Sequence, residues 1–208
     1  QKLLGEALVK LLRERPFSKI SVRDITQTAD VAYSTFFRNF DSKEELLLTY
    51  LCSAIFEVRD IIRRTPEVTV ADQARETMRL LFLQVKEQAH IYQTIFQTPS
   101  AQPVLIAFRG EMVNMNKQMV AAMPNLPASA VPHTLLIEGT MGQLLSMIEW
   151  WLAEGCKTAV SEMVDYYEVM ILRPFYHLLG GEKYFQQRLS AYSCPTVINE
   201  YNSSFHKD

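Results

Sequence analysis

The stretch ISVRDITQTADVAYSTFFRNFDSKEELL, residues 20–47, decides the fold. Ser21 stands where a helix cap belongs, and Asp24, three residues on, completes a capping box. Ile20 and Ile25 occupy the two positions of a hydrophobic staple around that cap. Val22, Ile25 and Ala29 then trace the inner face of a short helix over residues 22–28. Asp30-Val31 breaks the period. A second short helix is expected over residues 33–39, with Val31 and Phe36 as the buried wedge between the two. Two short helices joined by so tight a turn form a helix-turn-helix, whose second helix is shaped to enter the major groove of DNA.

Upstream, Leu3, Leu4, Ala7, Leu8, Leu11 and Leu12 recur as one apolar stripe on a helix that Pro16 ends. Phe17 and Ile20 return the chain to the core. Downstream, Ser42 with Glu45, or Asp41 with Glu44, supplies another capping box. A long helix follows, marked by Leu47, Tyr50, Leu51, Ala54, Ile55, Val58 and Ile62. Lys43 lies in its first turn, where a cation opposes the helix dipole. Local helix stability does not explain that lysine, and a nearby phosphate would.

In this unit the start of the second helix reaches base edges, which makes Tyr33, Ser34 and Thr35 the candidates for reading bases. Their hydroxyls bond to any base, and a methyl or aromatic ring touches the thymine methyl. Arg38 and Asn39, one turn on, are expected at a base edge or the backbone. Arg23, Lys43 and the cap at Ser21 are expected on phosphates, which fix register, and Phe37 against the sugar-phosphate edge.

This run resembles the head of TetR-type (TetR/AcrR) regulators, whose pattern is roughly TvxdIAxxAGVsxgtlYxhFxsKeeL. Val22, Asp24, Ile25, Ala29, Val31, Thr35, Phe40, Ser42, Lys43, Glu44 and Leu46 match in register, and the resemblance covers residues 3–48. It implies an all-α homodimer: a three-helix helix-turn-helix head followed by a C-terminal helical bundle for dimerisation and effector binding. It also implies a sequence-specific transcriptional regulator, a repressor released from its operator by a small-molecule effector. The alternative is an activator or coactivator controlled by a protein partner. Three departures mark the head. The turn glycine is Asp30, the usual serine cap of the recognition helix is Ala32, and the phosphate-binding tyrosine is Phe37. Losing that cap costs about 1 kcal/mol.

Composition sets the remaining bounds. Of 208 residues, 48 % are apolar and 21 % charged, the balance of an ordinary globular chain. Residues 1–50 carry eight Lys/Arg against seven Asp/Glu, a net of +1 within a chain of net charge −2. Phosphate attraction must therefore come from a few placed side chains and not from a broad basic field. No apolar run approaches the ~18 residues of a membrane span, so no membrane partner is expected. The opening at Gln1 is an amphipathic helix and not a secretion signal, and a cytoplasmic location is expected. The absent initiator Met suggests that natural residues precede it. Cys52, Cys156 and Cys194 have neither disulfide nor zinc spacing, and His90, His133, His177 and His206 have none for a metal. With no phosphate-cradling glycine loop, HExxH or nucleophile elbow, enzyme chemistry, cofactors and metals are not expected.

Beyond residue 62 every segment reads as helix: 70–86, 89–97, 100–123, 132–154 and 158–179, the last bent or divided by Pro174. A short helix over 182–191 and a loose tail complete the expectation. By role, residues 1–48 form the DNA-binding head, 49–181 the effector and dimer domain, and 182–208 an extension. Phe82, Tyr92, Phe96, Phe108, Met112, Met115 and Trp150 are candidates to line an effector pocket, with Asn116 and Gln143 as polar contacts. Leu136, Thr140, Leu144 and Met147, with Val164, Tyr167 and Ile171, are candidates for the dimer interface, where Gly139 and Gly142 admit close packing. Periodicity alone does not separate pocket or interface from plain core.

Overall fold

The leucine stripe forms α1 (Lys2–Leu12) and buries Leu4, Ala7, Leu8, Leu11 and Leu12. Leu3, expected with them, is exposed, one turn before buried Ala7 on the same line and in the first turn of the helix. In this computed structural model residues 1–63, 70–121, 129 and 131–179 are described. Every element among them is helical, as the resemblance implied. After α1 come α2 (Val22–Thr28), α3 (Tyr33–Phe37), α4 (Lys43–Arg63), α5 (Val70–Glu87) and α6 (Ala89–Gln97). Then follow α7 (Gln102–Ala121), α8 (His133–Ala153), α9 (Val160–Tyr167) and α10 (Arg173–Leu179). No described helix is long and apolar enough to cross a membrane. The 182–191 helix, the tail and the Pro124–Pro127 loop lie outside the described residues.

By packing, the chain divides into two units. The described part of the first comprises residues 1–54 and 90–108. Phe17, Ile20, Ile25, Phe36, Leu46 and Leu47 fill its core, with Ile91, Tyr92 and Val104 from α6 and α7. Val31, expected as a buried wedge, is only half-buried. Gly5 permits a close approach, since a Cβ there would lie 3.0 Å from the Tyr50 ring. The division by role at residue 48 falls within α4, a helix that both packing units share.

The second unit comprises described residues 55–89 and 109–179. Phe82 meets Trp151 edge-on at 5.6 Å, and both are fully buried. Val113, Val120 and Ile137 form a cluster flanked by Met141 and Phe175. Gly155 (φ 69°) and Cys156 (φ 53°) turn the chain after α8, and Trp151 Nε1 donates across the turn to the Thr158 carbonyl at 3.1 Å. Pro174 divides the last long segment as expected. Residues Glu168–Leu172 form a π turn just before it, and the wider turn relieves the clash of the proline ring with the carbonyl four residues back. Glu168 in that turn pairs with both Arg75 of α5 and Arg173.

Candidate nucleic-acid interface

The head is assembled from local signals that work as hydrogen bonds. Ser21 Oγ accepts from the Asp24 backbone N–H at 3.2 Å, and Asp24 Oδ2 accepts from the Ser21 N–H at 2.8 Å and its hydroxyl at 2.7 Å. These bonds, the backbone one foremost, and Arg15 at 3.4 Å hold the Asp24 carboxyl below its ordinary range. Ser21 thus serves the cap with both of its polar groups. The exposed Arg23 beside it has no ion-pair partner among the described residues.

Asp30 ends α2 with φ 53°. Its N–H reaches the Gln27 carbonyl at 3.2 Å and that of Val31 reaches Thr26 at 3.0 Å, the paired bonds of a Schellman ending. Asp30 therefore occupies the left-handed position that a glycine takes at lowest cost. Ala32 precedes α3 without any side-chain cap, and the Thr35 N–H turns back to the Ala32 carbonyl at 2.9 Å.

The expected recognition helix over 33–39 closes at Phe37, with Arg38 as its C-cap. Tyr33, Ser34, Phe37 and Arg38 are exposed, Thr35 is half-buried, and Phe36 is fully buried. Asn39 is half-buried and donates from Nδ2 to the Thr35 carbonyl at 2.7 Å, which secures the end of α3. The Tyr33 and Phe37 rings, 53 % and 49 % exposed, meet edge-on at 5.2 Å. Phe37 in turn packs on Phe36 at 5.3 Å, and Phe36 on Phe40 at 5.8 Å.

Lys43 requires a correction. Its Nζ donates to the carbonyls of Phe17 and Ile20, both at 2.8 Å, and lies 4.5 Å from the centroid of the Phe17 ring. This cation closes the turn between α1 and α2, which explains its unfavourable place in the α4 dipole without any phosphate. The cap of α4 is Ser42, which accepts from the Glu45 N–H at 3.1 Å, while Glu45 reaches back to the Asp41 N–H at 2.6 Å.

Residues 4–50 match the sequence profile described as bacterial regulatory proteins, tetR family. Solved structures of similar fold include a putative TetR-family transcriptional regulator from Syntrophomonas wolfei (TM-score 0.59, 17 % identity, 86 % of this chain and 94 % of that one). The fatty acid degradation regulator FadR from Bacillus halodurans gives 0.55 at 16 %, covering 87 % of this chain and 98 % of that one. Residues 4–50 thus carry a tetR-type head, on a chain that shares the fold of these structures. Thermus thermophilus FadR, a TetR-family repressor solved with lauroyl-CoA, shares the fold at 0.53 and 18 %, covering 83 % and 93 %. No protein of curated function matches the sequence significantly.

The effector candidates fall in two places. Tyr92, Phe96 and Phe108 belong to the first packing unit, and Phe82, Met112, Met115, Asn116, Gln143 and Trp150 to the second. Phe82 is filled against Trp151, Gln143 and Trp150 face solvent, and Asn116 Nδ2 donates to the Met112 carbonyl of its own helix. A cleft of about 360 Å³ along α5 and α9 holds none of them. Asp72, Arg75, Glu76, Arg79, Ser161, Val164 and Asp165 line it, with Arg75 bonded to Asp165 at 2.8 Å and Arg79 to Glu76 at 2.7 Å.

The dimer candidates are likewise redistributed. Leu144, Met147, Val164, Tyr167 and Ile171 are buried within the protomer and Leu136 and Thr140 are half-buried, so the chain uses this face for its own core. The opposite side of the same helices exposes Leu135, Gly139, Ser146 and Trp150 on α8 and Tyr166, Val169 and Met170 on α9 and the π turn. Sequence reading missed this side because α8 is apolar nearly all round, which leaves no polar stripe to mark the solvent face.

Proposed function

We propose that the chain is a cytoplasmic, sequence-specific DNA-binding repressor that acts as a homodimer and leaves its operator when a small-molecule effector binds the C-terminal helices. The observation that carries this reading is the exposed surface of α3, with Tyr33, Ser34, Phe37 and Arg38, on a head that matches the tetR family over residues 4–50. The apolar side of α8–α10 supports the pairing of two copies. A Cβ on Gly139 would meet nothing within 4 Å, so the protomer itself does not need that glycine. Two paired heads would set recognition helices about 34–36 Å apart, one turn of DNA. The repressor solved with lauroyl-CoA supports release by a small molecule as the mode of control. The same apolar side suits a protein partner, which favours the second reading of an activator or coactivator.

Selection of duplex DNA from a random library by the full chain tests the proposal, followed by gel-shift titration of the selected site. Combined Tyr33→Ala and Thr35→Ala substitutions should weaken binding while the melting temperature stays within about 2 °C, since neither side chain is buried in the core of the head. Equal binding by wild type and variant, or no sequence enriched, refutes the assignment. Sedimentation showing only monomer at micromolar concentration refutes the homodimer.

A further inference from the structure

The outward surface of α3 is dominated by aromatic carbon. Of its residues Tyr33 and Phe37 are the large exposed ones, and Ala32 adds a methyl group just before them. Polar reach is correspondingly small. Thr35 is half-buried, Asn39 has turned its amide nitrogen to the Thr35 carbonyl, and Ser34 and Arg38 remain exposed. Arg23 on α2 and Arg38 at the C-cap of α3, exposed cations without ion-pair partners among the described residues, suit a polyanion. Within the major groove the bases are told apart mainly by hydrogen-bonding atoms, with one bulky apolar group among them. That group is the C5 methyl of thymine. A ring pair at i and i+4 also steadies a capless five-residue helix, but aliphatic side chains would do that as well, and half of each ring would not need to face water.

We infer that this regulator reads its operator chiefly through a thymine C5 methyl seated against the Tyr33 ring, with Phe37 as a positioning residue that holds that ring. The inference rests on the DNA-binding reading of α3. The geometry gives Phe37 this role through a chain of ring contacts. Phe40 and Phe36 are buried, Phe37 packs on Phe36 at 5.3 Å, and Tyr33 packs on Phe37 at 5.2 Å. The exposed ring at the start of α3 is thus tied, ring to ring, to the core of the head and keeps one orientation before DNA arrives.

The test replaces thymine by uracil, one position at a time, in a duplex selected from a random library by the full chain. Affinity is measured by fluorescence anisotropy. One thymine per half-site should show a loss of about fourfold, the worth of one buried methyl-sized group (about 0.8 kcal/mol). Tyr33→Phe should keep that penalty, Tyr33→Ala should abolish it, and Phe37→Ala should shrink it while Phe37→Tyr preserves it. Thermal melts of each variant confirm that the head is folded. Uracil tolerated at every position, or a penalty that persists unchanged in Tyr33→Ala, overturns the inference and leaves the DNA-binding reading standing. Failure to enrich any sequence overturns both.

Discussion

Replacing Lys43 with methionine removes an ammonium while keeping an unbranched apolar stem against the Phe17 ring. Two hydrogen bonds go with it, each 2.8 Å, to the carbonyls of Phe17 and Ile20. A hydrogen bond to a charged group contributes about 1.5–3 kcal/mol. Lys43 is half-buried, so water recovers part of that at the vacated carbonyls and the lower bound applies to each bond. The cation–π contact adds about 0.5–1 kcal/mol, which a thioether–aromatic contact largely replaces. The net expectation is a loss of about 2–3 kcal/mol, or a fall of roughly 4–12 °C in the melting transition of the full chain. Circular dichroism measures that fall. The salt dependence of DNA binding below the transition discriminates the two roles, since losing a phosphate contact lowers the slope by about one unit. The slope should stay unchanged in Lys43→Met. An unchanged melting temperature with a reduced slope would show that Lys43 serves DNA and not the α1–α2 turn.

Other perturbations follow from the same head. Asp30→Gly should stabilise the chain by about 0.5 kcal/mol and Asp30→Val destabilise it by about 1–2, because φ is 53° there; urea midpoints in the opposite order would sink that account. Tyr92 is buried, its hydroxyl has no hydrogen-bond partner among the described residues, and burial pushes its pKa up, so Tyr92→Phe should leave stability equal or raise it by about 1 kcal/mol. A drop in the urea midpoint would reveal a hidden partner. His90 joins α6 to α1 by accepting from Arg13 Nε at 3.4 Å, and burial first, then the Arg13 charge, holds its pKa below the ordinary 6.5. The folded form then binds its proton less readily than the unfolded chain. That stability is fully present above pH 6.5 and is lost as pH falls through the lower folded value. Melts between about pH 7.5 and 5.5 should therefore fall more steeply for the wild type than for His90→Gln, and parallel curves would exclude the contact.

The head was legible because its signals are local. Ser21 and Asp24 are three residues apart and are found bonded in both directions, while spacing leaves Ser42 with Glu45 and Asp41 with Glu44 both open and the structure caps with Ser42. Lys43 shows where that legibility ends. Its partners lie 23 and 26 residues away, and only the folded turn brings their carbonyls to it. Of the candidate base-readers Tyr33 and Ser34 are exposed and Thr35 is half-buried, while α3 stops two residues sooner than the pattern suggests and Asn39 bonds back to the Thr35 carbonyl. In the C-terminal helices the segments were legible but their faces were not. Trp150 and Trp151 are neighbours in sequence and opposites in burial, and nothing in an apolar run distinguishes them.

The glycines of α8 carry a consequence for how much of this protein is folded at a given concentration. A glycine inside a helix costs about 1 kcal/mol relative to alanine, and at Gly139 the isolated protomer gains no packing in exchange. Only a neighbour whose backbone comes close to that spot recovers the loss. With the proposed pairing, mass action couples assembly to folding, so the melting temperature should climb as the solution is concentrated. Gly139→Ala should reverse the balance, giving a sturdier single chain and a weaker pair.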